Sequence, residues 1–264
     1  MIKLIVSDMD GTLLNDKKQI DERIYDLLPK LKQKGIRFVV ASGRQYPSLR
    51  HDFAEHIHEM TMIAENGAFV VQNDTEELYY KGMTHTQIIH CLDAVAKVGG
   101  ADALVCAKYC GNTESKYLYD HLTSPKFHYD MEYVPSLYDV TKDVTKVSLI
   151  INNKMPTKVY YEKLKPLLTD DMTLVISGEN CLDTGLKGVN KGSAVAALQK
   201  MWGILPEETL VFGDQWNDVE MFACAKYSYA MENAADAVKQ KANFVAGNNN
   251  AGAVVNIIKE YTGL

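Results

Sequence analysis

Ile2-Lys3-Leu4-Ile5-Val6-Ser7-Asp8-Met9-Asp10-Gly11-Thr12-Leu13-Leu14 decides the fold: an apolar, branched run stops at two carboxylates and a glycine. A short run of this kind reads as a buried central strand of a parallel sheet, with Asp8 at its end. In open α/β sheets ligands gather beyond the carboxyl ends of such strands, so Asp8 and Asp10 stand where chemistry is expected. Two carboxylates this close repel, and the pair is tolerable when a cation bridges it or one member keeps a proton. Asp and Gly also suit plain turns, so the Asp-x-Asp-Gly string alone leaves a structural alternative open.

Working outward, Ile20, Ile24, Leu27, Leu28 and Leu31 recur at helical spacing, with Pro29 as a kink and Gly35 as a C-cap. Residues 36–41 form a second strand-like run that ends in Ser42-Gly43-Arg44. Strand, crossover helix and strand imply a right-handed βαβ unit, which brings Ser42 to the same edge of the sheet as Asp8. A hydroxyl, a glycine that lets the backbone approach a ligand, and a following helix start together favour a phosphate. A plain Ser N-cap is the alternative. Residues 62–64 read as a third strand, and Glu65-Asn66-Gly67 carries a hairpin signal into a fourth at 68–71.

The second half of the pattern lies beyond a domain-sized insertion over residues 84–187. The insertion reads as an α+β module, with helices at 86–98 and 159–168 and strands at 103–107, 146–151 and 173–177. No catalytic constellation stands out in it, and Tyr109, Tyr117, Tyr119 and Tyr129 read as core or surface residues. The chain returns through residues 183–193, where Lys191 opens an amphipathic helix carrying Ala194, Val195, Leu198, Met201 and Trp202. A lysine in a first helical turn opposes the helix dipole, so its placement asks for a local anion; a solvated surface lysine is the alternative. Residues 209–213 form another buried strand ending at Asp214, and Asn217 and Asp218 follow, either as site residues or as helix caps. Strands at 227–231 and 244–245 and helices at 234–241 and 253–261 complete a core made of residues 1–83 and 188–264. The polar Asn248-Asn249-Asn250 loop receives no role.

With 264 residues, 47% of them hydrophobic, the chain is long enough for one large domain or two ordinary ones and has ample material for a core. A net charge of -6 argues against a nucleic-acid polymer, which needs a concentrated basic face, and leaves a small anionic substrate that needs only a local positive site. No apolar run approaches the roughly 20 residues of a membrane span, and the expected location is cytoplasmic. The five cysteines are scattered, with no Cys-x-x-Cys pair, and read as reduced and structural. His51, His56 and His58 have no metal-ligand spacing and read as a solvated helix face.

Four strings occur in order: Asp8-Met9-Asp10-Gly11-Thr12-Leu13, Ser42-Gly43-Arg44, Lys191-Gly192 and Gly213-Asp214-Gln215-Trp216-Asn217-Asp218. Together they resemble the four motifs of the haloacid dehalogenase-like hydrolases. Ser-Gly-Arg and Glu65-Asn66-Gly67-Ala68 are similar to the Cof-type branch, and the insertion resembles the type IIB cap, which closes over the core and selects the substrate. Gln215-Trp216 departs from relatives, where smaller or more polar residues are common.

The resemblance implies an α/β fold, a Rossmann-like doubly wound parallel sheet with an inserted α+β cap. It also implies a Mg²⁺-dependent phosphatase that works through an aspartyl-phosphate on Asp8. Asp10 would be the general acid and base, its pKa raised by its acidic neighbour. The metal ligands implied are the Asp8 carboxylate, the Asp10 carbonyl and the Asp214 carboxylate. Met9, Ser42, Gly43, Arg44, Lys191 and Asn217 would hold phosphate or substrate, and Asp218 would orient Lys191 or a metal-bound water. Sugar phosphates are favoured as substrates, with nucleotide or cofactor phosphates next, and the assembly is expected to be a monomer or small homo-oligomer. The alternatives on the same core are a phosphotransferase or phosphomutase and, from another class, a phospho-aspartate signalling module.

Overall fold

β1 (Leu4–Asp8) is buried at every residue, as an unbroken apolar run in the middle of a parallel sheet requires. The computed structural model describes residues 1–124 and 129–264. From β1 the chain passes through α1 (Arg23–Gln33), which buries Ile24, Leu27, Leu28 and Leu31, to β2 (Arg37–Ala41), parallel to β1 with Asp8 opposite Ala41. Pro29 lies inside α1, while Ile20 falls outside it and bridges to Leu14. After α2 (Tyr46–Asp52), β3 (Thr61–Ala64) runs parallel to β2. β4 (Phe69–Gln72) then reverses against β3, closing the hairpin at Glu65-Asn66-Gly67, and β5 (Glu76–Tyr80) follows.

The chain next builds α3 (His85–Val98), β6 (Ala101–Ala107), β7 (Gly111–Thr113), α4 (Lys116–Leu122), β8 (Met131–Tyr133), β9 (Val144–Ile151), α5 (Thr157–Leu164), β10 (Met172–Gly178) and β11 (Cys181–Leu186). These strands make one six-stranded sheet in the order β10-β11-β9-β6-β7-β8, antiparallel except for β7 beside β8. Ile88, Leu92 and Val95 of α3 pack with Val105, Val147, Leu149, Tyr160 and Leu164 into a core of their own. Three strands escaped the sequence reading. β7 and β8 are too short to show a period, and β11 carries polar and glycine positions that resemble a connection.

The return brings α6 (Lys191–Trp202), β12 (Thr209–Gly213), α7 (Val219–Phe222), β13 (Tyr227–Ala230), α8 (Asp236–Lys239), β14 (Phe244–Val245) and α9 (Ala253–Thr262). The first sheet runs β14-β13-β12-β1-β2-β3-β4-β5, parallel from β14 through β3. β1 sits between β2 on one side and β12 on the other, so the connections leave it in opposite directions. That reversal opens a crevice at the strand ends, the place where doubly wound sheets bind ligands. Asp8 and Asp214 both arrive there. By contacts the chain divides into one unit of Met1–Arg44, Phe53–Tyr79 and Asn190–Leu264 and a second of Gln45–Asp52 and Tyr80–Val189.

The histidine group is a correction. His51 lies on α2, whereas His56 precedes the 3-10 turn Ile57–Glu59 and His58 lies within it, so the three share no helix face. His56 stacks on Tyr25 at 4.6 Å between ring centres and pairs with Glu59. No disulfide joins the cysteines, and among the described residues no helix is long and apolar enough to cross a membrane.

Candidate active site

Lys191, the first residue of α6, is 1% exposed, and its Nζ donates to Asp8 Oδ1 at 2.5 Å and to Asp218 Oδ1 at 2.7 Å. The helix start that aims it is capped by Asn190 and Ser193 in a reciprocal box. Asp218 is fully buried, and its second oxygen accepts the backbone N–H groups of Asp214 and Gln215 at 2.9 and 3.0 Å. Both Asp218 oxygens are therefore committed, one to the lysine and one to the loop. Asp214 receives the Thr12 hydroxyl on one oxygen at 3.1 Å and the Gln215 amide on the other at 3.0 Å.

Asp8, Asp214 and Asp218 present carboxylate oxygens within 4.8 Å of one another, all buried. Against these three carboxylates stands the ammonium of Lys191, which leaves a buried excess of two negative charges when all three are ionised. The electrostatics record the strain: burial first, then Asp218 and Asp214, pushes Asp8 up to about 8 despite Lys191. Asp214 is raised by burial and then by Asp218. Burial alone would lower Lys191, but the two carboxylates outweigh it and hold the lysine above its ordinary value. Oxygen-only donors with a charge excess of this size fit a hard divalent cation. Asp8, Asp214 and Asp218 together are the buried carboxylate cluster that could hold one.

Asp10 departs from expectation. Burial raises it, but hydrogen bonds and charge from Arg44 and Lys18 outweigh burial and hold the carboxyl below its ordinary value. Arg44 grips it with both fork donors, Nε to Oδ2 and Nη2 to Oδ1, each at 2.7 Å, and Lys18 Nζ reaches Oδ1 at 2.8 Å. The expected upward shift came from sequence closeness to Asp8, whereas the side chain faces two cations. Arg44, assigned to the substrate, spends its fork on Asp10.

Ser42 is buried; its Oγ accepts the Arg44 N–H at 3.2 Å and its carbonyl accepts the Asn66 N–H at 2.9 Å. A Cβ on Gly43 would meet the Asn66 side chain at 3.1 Å, and Asn66 Oδ1 in turn accepts the exposed Asn217 amide at 3.0 Å. Asn66 thus ties the second and fourth strings together. Met9 has a fully buried side chain, so only its backbone is available to a ligand. Lys18, Thr12, Asn66 and Asn233, whose amide holds the Gly11 carbonyl at 2.8 Å, were given no site role from sequence. Single polar residues in loops carry no periodic signal. The unassigned asparagines pin the loop after β1: Asn249 donates to the Leu14 carbonyl at 3.0 Å, and Asn250 to Asp16 at 3.0 Å.

Gly11 has φ +81°, and a Cβ there would lie 2.4 Å from Asp214 Oδ2. Gly11→Ala is expected to displace Asp214 and weaken divalent-cation affinity by roughly ten-fold or more, which is about 1.4 kcal/mol. Isothermal titration with Mg²⁺ checks it; unchanged affinity would remove Asp214 from the ligand set.

Buried carboxylates and a lysine thus meet at the switch point of a doubly wound α/β sheet. The sequence profile of the haloacid dehalogenase-like hydrolases matches residues 5–258, and the chain belongs to that family. It is 34% identical to the 5-amino-6-(5-phospho-D-ribitylamino)uracil phosphatase YbjI of Escherichia coli, over 97% of this chain and 95% of that one. The structure of SMU.1108c from Streptococcus mutans is 28% identical and superposes with a TM-score of 0.86 over the whole of both chains. The subclass IIB sugar phosphatase BT4131 shares the fold at a TM-score of 0.81 and 18% identity, over 99% of this chain and all of that one. The chain is therefore an enzyme of the phosphatase class.

Proposed function

We propose that the chain is a Mg²⁺-dependent phosphatase of small phosphate monoesters that works through an aspartyl-phosphate on Asp8. The observation that carries the reading is the buried Asp8–Lys191–Asp218 chain beside Asp214, which supplies a nucleophile and a charge deficit of the right size. When bound, Mg²⁺ neutralises developing charge on the phosphoryl oxygens. An Asp8 oxygen attacks phosphorus in line, the ester P–O bond breaks, and the alcohol departs with a proton from Asp10. Water then cleaves the acyl phosphate, giving its proton to Asp10 and releasing phosphate and the Asp8 carboxylate. Lys191 stays within reach of Asp8 throughout and offsets the charge of the transferring group. Asp10 lies ionised in the Arg44 fork here, so acting as an acid requires it to leave that fork and gain a proton.

Ser42, the Gly43 amide and Asn217 hold phosphoryl oxygens in this reading, and the Asp10 carbonyl joins Asp8 and Asp214 as a metal ligand. The Tyr80–Val189 segment serves as the substrate-selecting domain. Sugar and polyol phosphates are the favoured substrates, supported by the ribityl phosphate in the name of the 34% identical relative. A cytoplasmic monomer or small homo-oligomer is the expected form.

Phosphate release from a panel of esters, with Mg²⁺ and with chelator, tests the reading. Turnover should require the metal, and Asp10→Asn should lose alkyl esters at least ten-fold more than p-nitrophenyl phosphate, whose leaving group needs little protonation. Phosphoryl transfer to an added sugar without free phosphate would establish a transferase instead.

A further inference from the structure

Trp216 is 58% exposed although it lies one residue from Asn217 and two from both Asp214 and Asp218. Its backbone is nonetheless fixed from both sides. Asp218 gathers the N–H groups of Asp214 and Gln215, the Asp218 N–H bonds the Gln215 carbonyl at 3.1 Å, and the Asn217 amide is anchored on Asn66. Trp216 opens the 3-10 turn Trp216–Asp218 held by these bonds. The other tryptophan, Trp202, is half-buried with the Arg37 guanidinium 4.3 Å from its ring centre. Among the described residues the Trp216 ring has no such ring or cation contact. A backbone fixed between two buried aspartates and carrying an exposed indole offers a flat apolar face to a ligand, and only the two side-chain torsions of the tryptophan remain to be ordered on binding.

We propose that Trp216 is a specificity-determining residue, whose indole stacks on the planar nitrogen heterocycle of a phosphate monoester while the phosphoryl group sits at Asp8. This rests on the phosphatase reading and narrows it, from phosphate esters in general to those that join a ring to the phosphate through a sugar or polyol. Every such ring has a π-face, so the contact selects for the presence of a heterocycle more than for its identity.

Uridine 5′-monophosphate and ribose 5-phosphate share the phosphopentose and differ by the ring, which makes them the probes. Trp216→Ala should raise KM for uridine 5′-monophosphate roughly ten-fold with little change in kcat, leave ribose 5-phosphate unaffected, and be largely rescued in Trp216→Phe. A Trp202→Phe, Asp8→Asn protein keeps Trp216 as its single tryptophan, excited selectively beyond the tyrosine absorption band, and does not consume the ligand. Its emission should change saturably with the nucleotide and not with the sugar phosphate. Equal KM shifts for both esters, no shift for either, or no nucleotide-specific change in emission would overturn the assignment. Failure of the phosphatase reading shows separately, as no phosphate released from either ester by the native protein while the ring-specific emission change persists.

Discussion

Asp8→Asn is expected to abolish ester turnover, with a loss in kcat on the order of 10⁴-fold or more, while the fold stays intact. The amide matches the carboxylate in shape, and its oxygen can still accept from Lys191, but it is no nucleophile. The same change should alter stability with a definite sign. Asp8 in the folded, metal-free protein is pushed up to about 8 from an ordinary 3.8, so the folded state binds this proton more tightly than the unfolded chain does. Its ionised form therefore costs stability, a cost absent below pH 4 that grows as pH rises towards 8. Metal-free Asp8→Asn should melt above the native protein at pH 8, with the gap closing towards pH 4. Mg²⁺ should raise the Tm of the native protein more at pH 8 than at pH 5, because it competes with a proton at the lower pH. Retained turnover would remove Asp8 as nucleophile, and a lower metal-free Tm for the variant at pH 8 would refute the charge-excess account.

What the sequence discloses about this site is where each group enters it. Asp8 and Asp214 each interrupt an apolar run at the end of β1 and β12, and Lys191 stands where a cation is locally disfavoured at the start of α6. Those positions are visible because strand periodicity and helix starts leave one-dimensional marks. Which side chains meet is not marked in that way. Asp8 and Asp10 look like repelling neighbours, yet Asp10 is held by Arg44 and Lys18 while Asp8 feels Asp214 and Asp218 from the far end of the chain. The turn at Gly11 and the left-handed Lys18 (φ 61°) aim these groups, and neither dihedral follows from residue spacing. Asn66 joins Ser42 to Asn217 for the same reason unseen, since a bridging amide has no period and no partner nearby in sequence. In the second unit the long elements α3, β6, β9 and β10 were legible from their apolar positions. The three-residue strands β7 and β8 were not, because three residues cannot display an alternation.

Lys191→Met is expected to cost about 3–5 kcal/mol of stability at neutral pH, the loss typical of removing one partner from a buried ion cluster. Methionine fills much the same volume, so the change tests charge more than packing. Lys191 is held above its ordinary pKa in the folded state, so its contribution is fully present below about pH 10 and is lost only at more alkaline pH. Without it, Asp8, Asp214 and Asp218 face one another with no buried cation, and folding must either protonate them or recruit a metal. The deficit should therefore be largest at pH 8 in chelator, shrink at pH 5, and be partly recovered by Mg²⁺. Asp8→Asn in the same chain removes one of the repelling charges, so the double variant should lose less than the sum of the single changes. Urea midpoints at pH 5 and pH 8 for the native protein, both single variants and the double variant measure this coupling. A deficit that is equal at both pH values and additive with Asp8→Asn would mean that Lys191 stabilises by packing alone, and the divalent-cation argument would lose its electrostatic basis.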